Sequence, residues 1–170
     1  MSEKLWSRLR KDVQRHEGWS DPAVWPLLVH RLGCAAQELP GPLRRVGSKL
    51  YGATALAVEI ATGSRLHRET ALGAELRLVH GRNVLVHPAA VIGDRVTLMH
   101  DVTLGTGAAD EGAPVLEDDV FVGAGAKILG PVRVGRGAHI AANSLVVTDI
   151  PAEAHVMGVP ARPLPKRGAR

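Results

Sequence analysis

The chain has 170 residues, of which 45% are hydrophobic but only 3% aromatic, and its formal charge is +4. This length predicts one domain with at most a small appendage, and the modest charge is typical of a solvated basic surface rather than of a nucleic-acid-binding protein. The single cysteine, Cys34, excludes an internal disulfide, and the sequence has neither an apolar run of membrane-spanning length nor a signal-peptide core, so we expect a cytoplasmic protein.

The chain opens with an amphipathic pattern over residues 3–17. Leu5, Leu9 and Val13 recur every four residues and would share one face of a helix. Gly18 follows the pattern and is suited to end that helix, because glycine adopts the left-handed conformation of helix C-termini. The sequence therefore predicts a first helix that packs through one apolar face.

Two more helices are predicted before residue 64. Asp21 and Pro22 have the chemistry of a helix cap and first position, so the second helix is expected to start there and extend through 24–39. After a Pro-Gly-Pro break, residues 43–62 form a third helical segment that Gly63 can close. This third segment is broadly apolar, which predicts that it is buried or lies at a subunit contact.

From residue 66 onward, aliphatic residues recur every sixth position. A period of six fits neither an α-helix nor a long alternating strand, but it is typical of a hexapeptide β-helix of short stacked strands. Small or aliphatic residues four places later, such as Ala126 and Ala138, fit beside the leading residues inside a narrow prism. The leading residues are Leu66, Leu72, Leu78, Val86, Ile92, Leu98, Leu104, Leu116, Val122, Ile128, Val134, Ile140 and Val146.

The repeat is irregular in two places. Two extra residues follow Leu78, next to His80, and the segment 105–114 has Asp110 where an aliphatic residue is expected. Irregular segments on a regular scaffold are common functional sites, so we expect the site near the slip and the loop.

Four histidines lie in this half of the prism: His67, His80, His87 and His100. A neutral imidazole can remove a proton from a hydroxyl near neutral pH, but spacing alone does not select one of the four. A zinc site formed by His80, His87 and His100 is an open alternative without supporting carboxylate or cysteine ligands, and we expect no metal. Residues 123–130 contain Gly123 and Gly125 but have Ile128 where a dinucleotide-binding fingerprint requires its third glycine, which excludes that motif.

Three strings, VTLGTG (102–107), 122–146 and GVPAR (158–162), resemble the left-handed β-helix acyltransferases, and within them the serine O-acetyltransferase group. The helical segment resembles the short, polysaccharide-cluster relatives of that group. The resemblance implies a mainly β protein: a left-handed parallel β-helix of hexapeptide repeats over 64–155, an α-helical segment over 1–63, and a coil end with a basic tail over 156–170.

The same resemblance implies the chemistry of the site. His80 takes the place of the family's catalytic base, and His67 takes the place of the histidine in the family's preceding Ile-His-Pro hexad. His80 would remove the proton of an acceptor hydroxyl, which then attacks the thioester of acetyl-CoA. Acetyl-CoA would lie in a groove between subunits of a homotrimer, with pairing of trimers into a hexamer left open. The residues implied to line that groove are Gly105, Ala124 and Ala142, with Lys127 and Arg162 for the phosphates.

Two departures from the family pattern bear on the acceptor. Arg65 stands where serine acetyltransferases have an aspartate that meets the serine amine, and Ala113 stands in place of a histidine that meets the carboxylate, in a loop two residues shorter. We therefore expect a sugar or another non-serine hydroxyl acceptor, bound near Arg65 and His100. The alternatives are serine acetylation in cysteine biosynthesis, a metal-dependent β-helix hydratase, and a non-catalytic scaffold.

Overall fold

The computed structural model describes residues 3–107 and 112–165, and within them three helices precede fifteen short strands. None of the helices in these two ranges is long and apolar enough to cross a membrane. The helices are α1 Glu3–Gln14, α2 Val24–Gln37 and α3 Gly41–Thr62. The strands are β1 Arg65–Leu66, β2 Ala71–Leu72, β3 Arg77–Val79, β4 Leu85–Val86, β5 Val91–Ile92, β6 Thr97–Met99, β7 Thr103–Gly105, β8 Val115–Leu116, β9 Phe121–Val122, β10 Lys127–Leu129, β11 Arg133–Val134, β12 His139–Ile140, β13 Leu145–Val146, β14 His155–Gly158 and β15 Ala161–Pro163.

The strands wind into a three-sided prism, because every third strand pairs in parallel with the one a coil earlier. Sheet A has the order β1-β4-β7-β10-β13, sheet B β11-β8-β5-β2, and sheet C β15-β14-β12-β9-β6-β3. Leu66 pairs with Val86, two residues more than three hexads, whereas Val86 pairs with Leu104 at the regular spacing. The predicted slip after Leu78 therefore falls in the first coil.

The core of the prism consists of the residues that the repeat predicts. Leu78, Leu98, Val122 and Ile140 stack in sheet C with at most 1% of each side chain exposed, and the leading residues of the other two sheets are also buried. One detail differs: Ile150 pairs with Val134 in the place of a leading residue, so the last coil is shorter than three hexads. The six-residue period predicted the core correctly.

The helices correct one expectation, the start of the second helix, and remove one of the two alternatives for the third. The second helix begins at Val24 rather than at Pro22, because the Asp21 carboxylate accepts a hydrogen bond from the Ala23 amide at 2.9 Å and forms a turn before the helix. The third helix is not buried: Thr62 is its only buried residue, and Gly63 ends it in the left-handed conformation at φ 71°. Its apolar side chains mostly face outward.

Polar side chains of α1 and α2 satisfy the open edge of the first coil. Asp12 is fully buried, pairs with Arg31 at 3.1 Å and accepts a hydrogen bond from the Leu76 amide at 3.0 Å. Arg31 in turn donates to the carbonyls of Leu72, at 3.0 Å, and Gly73. These backbone groups have no coil before them to pair with, so the helices act as the cap that a stack of repeats requires.

A hairpin ends the prism at its other end. β14 pairs in parallel with β12, whereas β15 turns back and pairs antiparallel with β14, with Pro163 opposite Val156. The segment between β7 and β8 forms no strand within its described part. Asp110, the position at which the sequence predicts a break in the repeat, lies outside the described residues.

Candidate active site

His80 lies on the corner between sheet C and sheet A, directly after β3. Its side chain is exposed and its backbone is left-handed, at φ 63°, as is that of Gly81 next to it. A non-glycine residue with positive φ is uncommon, and such strain is often found at functional sites. The two extra residues of the first coil therefore form a distinct corner that turns an imidazole toward solvent.

The half-buried His16 and the buried Ser64 hold this corner at both ends. The Leu78 amide donates to Nε2 of His16 at 3.0 Å, so the proton of that ring is on Nδ1, which donates to the Asp12 carbonyl at 2.7 Å. On the other side, Oγ of Ser64 donates to the Gly81 carbonyl at 2.8 Å and accepts from the Val84 amide at 3.0 Å. The backbone on both sides of His80 is thus fixed, by the turn after α1 and by the residue before β1.

His100 lies next to His80 on the following coil, because β6 pairs in register with β3. The two ring centroids are 5.7 Å apart and the planes are tilted by 58°. Nδ1 of His100 is buried and has no hydrogen-bond partner among the described residues, and Nε2 lies 3.9 Å from the Asp101 carboxylate. Two imidazoles and one carboxylate therefore meet at this corner.

The same corner continues through Ala124 and Ala142, which follow β9 and β12 in the register of the two histidines. We refer to His80, His100, Ala124 and Ala142 as the corner row. The Gly125 amide donates to the His100 carbonyl at 3.0 Å, and the next coil repeats this bond between Asn143 and Ala124 at 2.8 Å. Ala124 is half-buried and Ala142 is exposed, so at these two positions the corner row carries only methyl groups.

A polar column runs beside the corner row. Asn83 donates from its amide nitrogen to the Asp101 carboxylate at 2.8 Å, and Lys127 donates to the Asp101 carbonyl at 2.5 Å. Asn83, Asp101 and Asn143 all have positive φ, which these residue types tolerate better than most. Lys127, predicted from the resemblance to hold a phosphate, thus lies close to His100 with its ammonium bound to the backbone.

The other predicted residues lie apart from the corner row. Gly105 ends β7 on sheet A, in register with His87, and Arg162 is on β15 at the C-terminal end of sheet C. Arg65 begins β1 and pairs with Glu59 of α3, which raises the pKa of its guanidinium. Ala113 is half-buried and packs against the core of the prism.

The metal alternative requires His80, His87 and His100 to converge. His80 and His100 share one corner, but His87 follows β4, beyond the other end of a sheet A strand. Within residues 3–107 and 112–165, no group of three or more His, Cys, Asp or Glu is arranged to hold a metal ion.

Sequence reasoning missed the residues that support the corner: His16, Ser64, Asn83 and Asp101. Asn83 and Asp101 carried a usable signal, since Asn, Asp or Gly recurs at 83, 101, 125 and 143, one residue per coil at the same corner. His16 and Ser64 carried none, because a contact across 62 or 17 residues leaves no local pattern.

Comparisons with known proteins agree with this architecture. Residues 113–148 match the family described as bacterial transferase hexapeptide (six repeats). A serine acetyltransferase of Mycobacterium tuberculosis is 39% identical over 117 residues, which cover 67% of this chain and 51% of that protein. The chain thus spans about half the length of that relative.

Solved structures align with the helices and the coils alike. A serine acetyltransferase from Brucella abortus in complex with coenzyme A gives a TM-score of 0.81 at 29% identity, covering 99% of this chain and 71% of that one. A serine acetyltransferase of Neisseria gonorrhoeae in complex with serine gives 0.83 at 25% identity, covering 95% of this chain and 70% of that one.

Proposed function

This chain belongs to the serine O-acetyltransferase group of the left-handed β-helix proteins, and on that premise we propose that it is an acetyl-CoA-dependent O-acetyltransferase with His80 as general base. The observation that carries the proposal is the corner at His80, where the first coil gains two residues and exposes an imidazole. The relative from Brucella abortus is solved with coenzyme A, which supports acetyl-CoA as the donor.

The reaction follows from the corner row. The neutral His80 ring removes the proton of the acceptor hydroxyl while the oxygen attacks the thioester carbonyl. The tetrahedral intermediate then collapses, the C–S bond breaks, and the thiolate of coenzyme A takes the proton from the imidazolium. Backbone N–H groups are suited to stabilise the oxyanion, since oriented donors need no reorganisation during the reaction.

We propose that the pantetheine arm follows the path along the alanines of the corner row. Ala124 and Ala142 add no bulk along the corner, and Gly105 presents backbone on the adjoining sheet A. We propose that this path forms one wall of a groove shared by two subunits of a homotrimer. Lys127 and Arg162 are our candidates for phosphate contacts, although Lys127 would have to release the Asp101 carbonyl to serve.

For the acceptor we propose a sugar or another hydroxyl compound without an ammonium group. Arg65 replaces a family carboxylate, and a cation there disfavours the amine of serine because like charges repel. The ion pair between Arg65 and Glu59 weakens this repulsion. Because the Glu59 carboxylate is already paired, it does not replace the family carboxylate as a partner for the serine amine. His100 is the polar side chain next to His80 and is our candidate for the acceptor contact.

Acetylation of L-serine is the second candidate, and the names of the relatives favour it. One assay separates the two: release of coenzyme A thiol from acetyl-CoA in the presence of L-serine, sugars, nucleotide sugars or amino-alcohols. We expect turnover with a neutral hydroxyl acceptor to exceed turnover with L-serine. The reverse order would replace our acceptor proposal with the second candidate.

The role of His80 is tested by His80→Ala. We expect kcat to fall by about 10²–10⁴-fold, the usual contribution of a general base, without loss of the folded state. His155→Ala, an exposed histidine at the far end of sheet C, is the matched control and should keep wild-type turnover. Wild-type turnover by folded His80→Ala would show that another group is the base.

A further inference from the structure

A groove adjoins the active-site corner on the side of α3. It lies between α2, α3 and the start of β1, and its volume is about 260 Å³. Pockets for drug-sized ligands range from about 300 to 1,000 Å³, so this groove suits a smaller molecule. We call it the α3 groove. Its lining combines apolar side chains of the two helices with a polar strip along residues 64–67.

The α3 groove is connected to the backbone that carries His80. Ser64, which lines the groove, donates from Oγ to the Gly81 carbonyl at 2.8 Å. The Asn83 amide donates to the carbonyl of Thr62, at the end of α3, at 3.0 Å. Strands of neighbouring coils are about 4.8 Å apart. The groove and the His80 corner are therefore about one coil spacing apart.

The charged side chains of the groove balance each other. Among the lining residues, Glu59 supplies one negative charge and Arg65 one positive charge, and the two form an ion pair. The pair joins Oε1 of Glu59 to one guanidinium nitrogen, and neither side chain makes another hydrogen bond within the described residues. The second carboxylate oxygen and the other guanidinium N–H groups can therefore bind hydroxyls, while the balanced charge gives no preference for an ion.

Tyr51 adds a hydrogen-bond donor to the same groove. Its Oη accepts a hydrogen bond from the Arg68 amide at 3.1 Å, and no acceptor for its own proton lies among the described residues. Burial raises the pKa of this phenol, so the hydroxyl keeps its proton at neutral pH. A half-buried donor without an acceptor favours a ligand that brings an oxygen to it.

The other side chains that the helices contribute to the groove are apolar. They are those of Pro26 and Val29 from α2 and of Ala55, Leu56 and Val58 from α3. Leu56 is 58% exposed although it is a large apolar residue. A ligand that covers this surface gains about 25 cal/mol for each Å² of apolar area that it buries. The groove therefore favours a molecule that has an apolar face as well as hydroxyls.

We propose that the α3 groove binds the acceptor, and that the acceptor is a neutral sugar whose reacting hydroxyl extends to His80. A pyranose ring has a face of C–H groups and a rim of hydroxyls, which matches an apolar surface beside a paired cation and anion. L-Serine carries two charges and has no apolar face, so it fits this lining less well. The role of the sugar as acceptor rests on the proposed acetyl transfer, whereas its binding can be measured without that reaction.

Binding is tested by ligand-observed NMR with D-glucose, D-galactose, D-mannose and N-acetyl-D-glucosamine, and with D-glucuronate and L-serine as charged probes. We expect at least one neutral sugar to bind the wild type more tightly than either charged probe. Ala55→Phe fills the groove and should raise the dissociation constant of that sugar by about tenfold. Ala53→Phe makes the same change at an exposed residue of α3 outside the groove and should bind as the wild type does. Failure of all four neutral sugars to bind, or equal binding by the two variants, would overturn the proposal.

The charge balance is tested by Glu59→Gln. Because this variant leaves Arg65 without its partner, we expect the affinity for D-glucuronate, relative to that for the neutral sugar, to rise by about tenfold. Glu69→Gln removes an exposed carboxylate that pairs with Arg68 outside the groove lining, and it should leave the ratio unchanged. An unchanged ratio in Glu59→Gln would overturn the assignment of a neutral ligand to this ion pair.

Turnover is measured separately, as thiol release from acetyl-CoA with the sugar that binds. Binding without thiol release would contradict the proposed activity and support the groove as a sugar site. Thiol release with the same KM for the sugar in Ala55→Phe and wild type would instead support the activity and contradict the groove as the acceptor site. The KM for acetyl-CoA should be unchanged in both phenylalanine variants, since neither residue belongs to the corner row.

Discussion

The open edge of the first coil and the middle of the prism are stabilised by different interactions. In the middle, each coil is covered by coils of the same pattern, and stability comes from stacked aliphatic residues such as Ile128 and Ile140, neither of which is exposed at all. The first coil has no earlier coil, and its edge is covered by Asp12 and Arg31 of the helices and by His16 of the turn after α1. In the middle of the prism the neighbouring coils satisfy the backbone hydrogen bonds of each coil. At the edge, polar side chains from outside the repeat must do so.

Removing the buried carboxylate of the edge should have the largest effect on stability. Asp12→Ala leaves Arg31 buried without its partner and the Leu76 amide without an acceptor, so we expect the free energy of unfolding to fall by about 3–5 kcal/mol. Urea unfolding measures this change. Lys11→Ala, which removes only an exposed pair with Glu75, should cost less than about 1 kcal/mol. Equal effects of the two variants would contradict the distinction between the edge and an ordinary surface.

Low pH should weaken the same helical edge through His30 of α2. This side chain is 1% exposed, and its burial lowers its pKa from the ordinary value of 6.5 to about 4. The unfolded state therefore binds a proton below pH 6.5 that the folded state refuses until about pH 4. This stability is complete above pH 6.5 and is lost as the pH falls toward 4, by about 3 kcal/mol in total.

The measurement is urea unfolding at several pH values for wild type and His30→Gln. We expect the wild type to lose stability more steeply than the variant between pH 6.5 and 4. Parallel curves for the two proteins would show that His30 does not make the helical edge acid-sensitive.

A smaller effect is expected where the edge meets the active-site corner. Ser64→Ala leaves the Gly81 carbonyl and the Val84 amide without their buried partner, which costs about 1–3 kcal/mol. Because this hydroxyl holds the corner of His80, we also expect kcat to fall with little change in KM for acetyl-CoA. Ser64→Thr keeps the hydroxyl and should recover most of the activity, whereas a loss of stability alone would limit Ser64 to a structural role.

The prism could be predicted from sequence and the helical edge could not, for a physical reason. The period of six recurs because every coil meets the same environment, so Leu66 through Val146 identify the core without knowledge of the fold. Asp12 and Arg31 are charged residues in amphipathic helices, and such residues are ordinarily solvated. Only their contact with the unpaired backbone of Leu72, Gly73 and Leu76 accounts for their burial.

The candidate site also has one part that the sequence predicts and one part that it does not. The extra residues beside His80 and the loop before Val115 are visible as breaks in a count of six. The neighbourhood of His80 and His100 depends on register between coils, which the slip itself shifts by two residues. The two alternatives for α3 have a related cause: an apolar helix predicts that another surface covers it, but the pattern does not say whether that surface belongs to the same chain.

The antiparallel strand β15 covers the last parallel strand of sheet C. A stack of parallel coils with a bare last strand would offer unpaired backbone groups to which another molecule can add its own strand. Here β15 pairs with those groups, and Pro163, opposite Val156, has no amide hydrogen to offer a newcomer. In a chain truncated before Ala161 the edge of β14 would be bare while the helices still cover the first coil, so we expect prisms to join end to end in pairs, which light scattering would detect as a doubled mass.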